Sequence, residues 1–251
     1  MRRLEIQVNQ AGQDEELRSN VRYALGLGLP EISVVEQHEK TLVLVGSGPS
    51  MPSFLEDIRK EAGTICAIKG AHDFLIENGI TPDWFVNLDP RNRLHQIKYA
   101  NDHTRYFIAS RCMPEMFQSL EGRKITVFHS FHWGLEKWPE FQGRQMIQGG
   151  TTSGLRAINI GWTQGYRKFT IYGFDSCLAP DRLTKRFTGE AAGKVIDVIV
   201  GGRVFYANHA MAQQAIDWRD YLALCTDCTF DVKGDGLLAA ISRETERLKA
   251  A

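Results

Sequence analysis

Residues 41–50, TLVLVGSGPS, pass from an apolar β-run into a glycine-rich turn that stands just before a helical pattern. A buried parallel strand followed by such a turn brings backbone N–H groups and the positive end of a helix to one place, which is how α/β proteins hold phosphate. The turn lacks the third glycine of a dinucleotide fingerprint and the Gly-Lys-Ser/Thr of a P-loop, which argues against NAD and against a Walker-type ATPase. A plain tight turn between strand and helix is the alternative.

From residue 41 onward, short apolar runs alternate with helical patterns, and this alternation predicts a parallel sheet covered by helices. We expect strands over 41–45, 64–68, 84–88, 105–110, 125–128, 169–172 and 229–232, and helices over 15–25, 52–61, 71–78, 151–165, 210–224 and 237–248. Residues 129–148 show no period and are expected to form a loop. Two apolar runs, 195–200 and 203–206, flank Gly201-Gly202 and predict a hairpin in an inserted lid at about 176–208. The expected organisation is an N-terminal helical extension over 1–40 and a Rossmann-like α/β domain over 41–251, with a mostly parallel sheet and helices on both faces.

Charge and composition disfavour several classes of protein. Lys plus Arg equals Asp plus Glu, at 30 each, so no overall field favours a nucleic acid or an anionic membrane. No apolar run reaches the ~20 residues that a membrane-spanning helix needs, and the N-terminal residues lack the apolar core of a signal peptide. The five cysteines are scattered and odd in number, which fits reduced thiols. We therefore expect a cytoplasmic protein that contacts neither membrane nor nucleic acid.

Polar residues stand where the predicted strands end, and the carboxyl ends of parallel strands meet at one edge of a sheet. These residues are Gly46, Ser47, Gly48, Pro49, Ser50, Lys69, Asn87, Asp89, Ser110, Arg111, His129, Gly173 and Asp175. A second glycine-rich helix start, Gly149-Gly150-Thr151-Thr152-Ser153-Gly154, repeats the arrangement of the first with three hydroxyl groups. Helix capping alone needs only one of those hydroxyls. Two anion-receptive helix starts on one sheet predict a nucleotide bound across a cleft.

Several charged residues are candidates for chemistry beside that nucleotide. Asp89 ends a strand in Asn-Leu-Asp-Pro and Asp175 ends another in Gly-Phe-Asp, where a carboxylate holds Mg²⁺, a ribose or a proton, or simply caps a turn. His209 begins the helix after the lid, where a neutral imidazole suits a general base; a solvated surface histidine is the alternative. The lid cations, which either close over phosphates or form a solvated face, are Arg182, Lys185, Arg186 and Arg203.

The order of these motifs resembles the MptE-like family. The matching segments are GSGPS at 46–50, GITPDWFVNLDP at 79–90, GTTSG at 150–154 and GYRKFTIYGFD at 165–175, and the block at 79–90 is the most specific. That family joins archaeal 6-hydroxymethylpterin diphosphokinases to bacterial motility accessory factors, which are thought to glycosylate flagellin. The same order is similar to that of single-domain bacterial CMP-sialyltransferases, in which a lid precedes a histidine general base. That likeness implies a sialyltransferase-like core, with His209 in the place of the base, the two glycine loops on the nucleotide, and Asn87 on its sugar or phosphate.

The resemblance implies a nucleotide-dependent transferase, with a glycosyltransferase that uses a CMP-sugar-like donor as the leading function. In that function the lid cations would contact the leaving phosphate. The first alternative is a diphosphokinase that passes pyrophosphate from ATP to a hydroxymethyl group with Mg²⁺ on Asp89 or Asp175. The second is a nucleotide-binding protein without catalytic activity. The acceptor stays unknown, and the sequence leaves a homo-oligomer open.

Overall fold

The computed structural model describes residues 12–131, 134–181, 186 and 193–249. Its strands are β1 (Thr41–Val45), β2 (Thr64–Ile68), β3 (Trp84–Asn87), β4 (Arg105–Ala109), β5 (Lys124–Ser130), β6 (Met146–Ile147), β7 (Lys168–Tyr172), β8 (Ile196–Val200), β9 (Arg203–Ala207) and β10 (Thr229–Val232). Eight of them form one parallel sheet in the order β10-β7-β1-β2-β3-β4-β5-β6. The strands β8 and β9 form a separate antiparallel hairpin. The predicted α/β, Rossmann-like fold is confirmed.

Helices cover both faces of the sheet. They are α1 (Asp14–Gly26), α2 (Leu55–Lys60), α3 (Ala71–Glu77), α4 (Pro114–Gln118), α5 (Ser153–Thr163), α6 (His209–Leu224) and α7 (Leu237–Lys249). Successive residues of a strand face opposite sides, and β1 shows the result. Leu42 and Leu44 pack in the core that includes residues of α5, α6 and α7, whereas Val43 and Val45 pack in a second core with residues of α2 and α3. Strand β1 is therefore buried on both sides, as its continuous apolar run predicts.

The chain reverses its direction across the sheet between β1 and β7. From β1 the strands proceed in order to β6 on one side, and β7 then returns to pair with the other side of β1. Ladder-like hydrogen bonds continue past both strands, from Gly46 N–H to the carbonyl of Tyr172 and from Gly48 N–H to the carbonyl of Gly173, each 2.8 Å. Ligands of open α/β sheets bind at such a switch point.

The predicted elements agree with the structure except in short segments. Residues 129–148 were expected to be loop, yet β5 continues through Ser130 and the two-residue strand β6 follows within that segment. Helix α4 has five residues and was not expected. The helix predicted over 52–61 is a 3₁₀ turn, Met51–Phe54, followed by α2. These pieces are too short to show a hydrophobic period, which explains why the pattern missed them.

Residues 12–32 pack against the β4–β5 side of the sheet, and residues 33–40 then run past the end of α5, where the N–H groups of Val35 and His38 donate to the carbonyls of Thr163 and Gly165. The apolar face of α1, with Leu17, Val21 and Ala24, is buried. The Asn20 side chain donates a 3.1 Å hydrogen bond to the carbonyl of Arg111, and Glu31 forms an isolated parallel bridge with Val127. Across the described segments, no helix combines the length and the apolar character that crossing a bilayer requires.

Candidate functional site

A cavity of about 820 Å³ opens at the carboxyl edge of the sheet. It is lined by the loops after β1 to β7 and by the start of α6, and its volume suits a small-molecule ligand. Ser47 of the first glycine loop and Thr152 of the second line this one cavity. The predicted site residues that it collects are Gly46, Ser47, Gly48, Lys69, Asp89, Arg111, Gly149, Gly150, Thr151, Thr152, Ser153, Gly154, Gly173, Asp175 and Arg186.

The first glycine loop is packed against the loop that follows β7. A Cβ atom on Gly48 would lie 2.3 Å from Asp175 Oδ2, and one on Gly46 would lie 2.6 Å from the carbonyl oxygen of Gly173. Ser50 donates two hydrogen bonds to Asp175, from its backbone N–H at 2.9 Å and from its hydroxyl at 2.7 Å. The glycines therefore allow two loops to meet. The N–H and hydroxyl of Ser50 thus donate to the carboxylate of Asp175. The sequence predicts a phosphate as the acceptor at this helix start.

Asp175 is buried, and its pKa reflects that position. Burial raises the pKa of this carboxyl above its usual range, and the two hydrogen bonds from Ser50 offset the rise only in part. Asp175 lines the cavity, whereas Pro49 and Ser50 are not among the described lining residues. A catalytic role for Asp175 stays a prediction.

The second glycine loop contains one hydroxyl group, that of Ser153, that makes no hydrogen bond among the described residues. Thr152 is the N-cap of α5, and its hydroxyl accepts a hydrogen bond from Leu155 N–H at 3.3 Å. Thr151 donates both its N–H and its hydroxyl to Asp217 Oδ2 of α6, at 2.9 and 2.8 Å. Ser153 follows, buried, with its hydroxyl in no hydrogen bond within the described part of the chain. A Cβ on Gly149, whose φ is 92°, would overlap the side chain of Tyr221, so this close approach requires glycine.

Asp89 lies at the centre of a basic cluster. It accepts hydrogen bonds from Lys69 Nζ at 3.0 Å, from Arg91 Nε and a terminal guanidinium nitrogen at 2.8 Å each, and from Arg93 Nε at 3.0 Å. Burial alone would raise the pKa of Asp89, but the hydrogen bonds from Arg91 and the charge of Lys69 hold it far below its usual range. Burial lowers the pKa of Lys69, against the opposing charge of Asp89.

This cluster does not fit the predicted magnesium ligand at Asp89. Both carboxylate oxygens already accept from cations, and a metal ion beside three further positive charges would be repelled. Within the described ranges there is also no group of three or more His, Cys, Asp and Glu side chains that could hold a metal. In this structure Asp89 positions Lys69, Arg91 and Arg93, and its predicted role as a magnesium ligand finds no support in this geometry.

Arg156 is a cavity residue that sequence reasoning missed. It is buried in α5 and donates to the backbone carbonyls of Ile147, Phe131 and Gly150, the latter two at 3.2 and 3.0 Å. It has no carboxylate partner among the residues that the structure describes, and burial lowers its pKa to about 10. The available signal was an arginine inside the apolar run of the helix predicted over 151–165.

The cavity carries an excess of positive charge. Five lining residues are cationic, namely Lys69, Arg91, Arg111, Arg156 and Arg186, and three are aspartates, namely Asp89, Asp175 and Asp217. Asp217 had no signal in the sequence, because only the fold brings α6 beside the second glycine loop. An excess of positive charge in a concave, partly desolvated site favours an anionic ligand.

The remaining predicted residues lie outside the described lining of the cavity. Asn87 is fully buried, and its side-chain oxygen accepts a hydrogen bond from Asp89 N–H at 3.0 Å. Arg203 of β9 pairs with Asp235 at 2.6 Å, so the structure places it in an ion pair between the hairpin and the segment that precedes α7. His209 is exposed at the first position of α6, although its neighbours Asn208 and Ala210 line the cavity. Arg182 and Lys185 lie outside the described residues.

Comparison with known proteins places this fold and its loops in a family. A family model described as 6-hydroxymethylpterin diphosphokinase MptE-like matches residues 17–181, which is more than half of the chain. The chain belongs to the MptE-like family. The match confirms the resemblance in the motif order. The matched range includes every residue that lines the cavity of this MptE-like protein except Arg186, Asn208 and the lining residues of α6.

A solved structure shares the fold of this MptE-like protein. The structure of the MAf glycosyltransferase from Magnetospirillum magneticum AMB-1 aligns with a TM-score of 0.64 and 14% sequence identity, over 94% of this chain and 42% of that one. The chain thus spans less than half of the length of that structure, and at this identity the likeness shows the fold alone. No curated protein matches the chain.

Proposed function

We propose that this protein is a nucleotide-dependent transferase that binds a nucleotide sugar of the CMP-sugar type in the cavity at the carboxyl edge of the sheet. One observation carries the proposal: Ser47 and Thr152, from two separate glycine loops, line the same cationic cavity. Membership in the MptE-like family and the fold shared with a MAf glycosyltransferase support a transferase.

In the proposed reaction, the chain holds the donor phosphate while an acceptor hydroxyl attacks the anomeric carbon of the sugar. A new carbon–oxygen bond forms, the bond from that carbon to the phosphate oxygen breaks, and the nucleotide leaves with the electron pair. Arg111 and Arg156 stabilise the departing phosphate, because a cation in a partly desolvated cavity interacts strongly with developing negative charge. His209 accepts the proton of the acceptor hydroxyl, and Arg186 of the lid covers the phosphate.

A diphosphokinase is the second candidate, because the matching family model carries that description. It would transfer pyrophosphate from ATP to a hydroxymethyl group and would require Mg²⁺. The pairing of Asp89 with three cations weighs against this candidate, since it removes one of the two carboxylates that were expected to hold the metal. The two reactions differ in their nucleotide and in their need for metal.

The first experiment is a thermal unfolding assay with a panel of CMP, CTP, UDP, GDP, AMP and ATP, each with Mg²⁺ and with EDTA. A ligand that binds only the folded state at 100 times its Kd stabilises that state by about 2.7 kcal/mol. We expect CMP to raise the melting temperature equally in Mg²⁺ and in EDTA. Protection by ATP that depends on Mg²⁺ would favour the diphosphokinase. If no nucleotide protects the fold, the proposal is wrong.

A matched pair of variants locates the binding site. Arg111 follows β4 at the carboxyl edge and lines the cavity, whereas Arg105 begins the same strand at the opposite edge and is exposed. A hydrogen bond to a charged group contributes about 1.5–3 kcal/mol, so we expect Arg111→Met to weaken CMP binding by about tenfold or more. Arg105→Met should leave the Kd within about twofold. Equal effects of the two variants would place the nucleotide elsewhere.

A further inference from the structure

We infer that the hydroxyl of Ser176 binds the phosphate of the ligand, beside the hydroxyl of Ser153. This inference rests on the proposed function for the cavity but names a residue for which neither the motifs nor the family match supplies a role. Three independent observations support it: the backbone conformation of Ser176, the state of its hydroxyl, and its place in the cavity.

The backbone of Ser176 is strained. Of the described residues other than glycine, two have a positive φ, Lys69 at 51° and Ser176 at 49°, and both line the cavity. A residue with a Cβ atom adopts this left-handed region at an energetic cost that glycine avoids. For Lys69, an ion pair with Asp89 at 3.0 Å offsets this energetic cost. Strained residues of this kind gather at functional sites.

Among the described residues, the hydroxyl of Ser176 makes no hydrogen bond that would offset this strain. Ser176 is 7% exposed, and its Oγ has no hydrogen-bond partner among the described residues. Ser153, 4% exposed, is in the same state. A buried hydroxyl that makes no hydrogen bond lowers the stability of the folded state. Both of these hydroxyls belong to residues that line the cavity, where a ligand oxygen can accept from them.

Both serines line the cavity, and the segments that carry them are packed against each other. Ser153 begins α5, and Ser176 comes after the β7 strand end. A Cβ on Gly154 would lie 2.6 Å from the ring of Phe174, so the first turn of α5 packs directly on the segment that precedes Ser176. The N-terminus of α5 contributes its own positive potential to this place. A phosphate is the ligand group that two hydroxyl donors and a helix N-terminus suit best.

Backbone contacts already hold the segment around Ser176, so its side chain is not needed to anchor it. Leu237 N–H donates to the carbonyl of Asp175 at 2.8 Å, and Leu178 N–H donates to the carbonyl of Tyr206 at 2.7 Å. A glycine at position 176 would satisfy the same backbone with less strain. A serine there, with an unmade hydrogen bond, is accounted for by a partner that arrives with the ligand.

The test uses the full chain and two substitutions, Ser176→Gly and Ser176→Ala. The first removes both the strain and the hydroxyl, and the second removes the hydroxyl alone. Without ligand, we expect Ser176→Gly to melt about 2–4 °C higher than the wild type and Ser176→Ala to melt no lower. We expect both to weaken the binding of CMP and of inorganic phosphate by about tenfold, measured by calorimetric titration.

Ser242→Ala is the matched control, because Ser242 is a buried serine whose hydroxyl is used. It accepts from Trp218 Nε1 at 3.0 Å and donates to the carbonyl of Leu238 at 3.1 Å, and it is not among the residues that line the cavity. We expect this variant to lose stability and to keep its affinity for both probes. The Ser176 variants should therefore lose affinity without losing stability, whereas the control should lose stability without losing affinity.

The outcomes separate this inference from the proposed function. If the wild type binds CMP and the Ser176 variants bind it equally well, the inference fails and the transferase proposal stands. If the wild type binds phosphate but no nucleotide, and the variants lose phosphate, the inference holds and the proposed donor is wrong. A loss of stability in both Ser176 variants, or a wild type that binds neither probe, overturns the inference.

Discussion

Asp89→Asn tests the electrostatic basis of the cavity wall. In the native protein the carboxylate of Asp89 accepts from Lys69, Arg91 and Arg93, so one buried negative charge holds three cations at the edge of the site. Asparagine has nearly the same shape and keeps an acceptor oxygen, but it carries no charge. The substitution therefore isolates the charge from the packing.

The expected loss of stability follows from which cations remain buried. Asp89 is 3% exposed, and removing one partner of a buried ion pair lowers the free energy of unfolding by about 3–5 kcal/mol. The side chain of Arg91 is 62% exposed and can turn toward water, whereas that of Lys69 is 17% exposed and stays in place. The side chain of Arg93 is also mostly buried, at 23% exposed, but the amide oxygen of asparagine can still accept one of these hydrogen bonds, so we take the lower limit, about 3 kcal/mol. In a chain of this length that corresponds to a melting temperature about 6–12 °C lower.

The effect should depend on pH in a defined direction. The folded pKa of Asp89 lies far below its unfolded value of about 4. A depressed pKa stabilises the folded state above the unfolded value, and this contribution is lost as the pH falls toward the folded value. The difference in melting temperature between the wild type and Asp89→Asn should therefore be full at pH 7 and should shrink below about pH 4.

Thermal unfolding followed by circular dichroism at pH 7 and at pH 3.5 measures both quantities. Asp102→Asn is the control, because Asp102 pairs with Arg123 at the surface and its side chain is 80% exposed. An exposed pair contributes about 0–1 kcal/mol, so the control should melt within about 4 °C of the wild type. Equal shifts in the two variants, or a shift for Asp89→Asn that ignores pH, would refute the reasoning.

Three further outcomes are expected. Asp217→Asn should tighten CMP binding about threefold, because it removes a negative charge from the cavity. The control Asp220→Asn, at an exposed position of the same helix, should leave the Kd unchanged. Weaker binding by Asp217→Asn would show that the native carboxylate contacts the ligand. Gly48→Ala should lower the free energy of unfolding by about 1–3 kcal/mol, because its Cβ would lie 2.3 Å from Asp175 Oδ2. The control Gly26→Ala has no atom within 4 Å of the added Cβ and should not destabilise the protein. Similar melting curves for the two variants would contradict this difference. EDTA should change neither the melting temperature nor the CMP affinity, and a drop in either would reveal a metal ion that the described residues do not account for.

The sequence was sufficient to predict the sheet because its strands are coded locally. The run Thr41–Val45 is apolar at every position after the first and is buried on both faces. The run that became β2 is also apolar after its first residue, and in β7 one polar residue, Thr170, interrupts the apolar run. A parallel sheet then places all the strand ends at one edge, so the meeting of Ser47 and Thr152 could also be predicted. Two-residue β6 and five-residue α4 offered no period to read.

The internal partners of the site residues could not be predicted from the sequence. Thr151 gives both its donors to Asp217, which lies 66 positions later in the chain, and Ser50 gives two to Asp175, which lies 125 positions later. Motif spacing says where donors are offered, but which acceptor reaches them depends on how helices and loops pack. For the same reason the three cations around Asp89 could not be predicted, and the sequence left open whether its carboxylate holds a metal ion, a ribose or a proton, or caps a turn.

The guanidinium of Arg156 joins three short segments of the chain that precede it. Its hydrogen bonds reach the carbonyls of Phe131, Ile147 and Gly150, which belong to the ends of β5 and β6 and to the start of α5. Because one side chain links these three segments, their amide hydrogens should exchange with solvent as a single cooperative unit. An engineer who wishes to transplant the glycine loop into another scaffold has to carry all three segments together with the arginine.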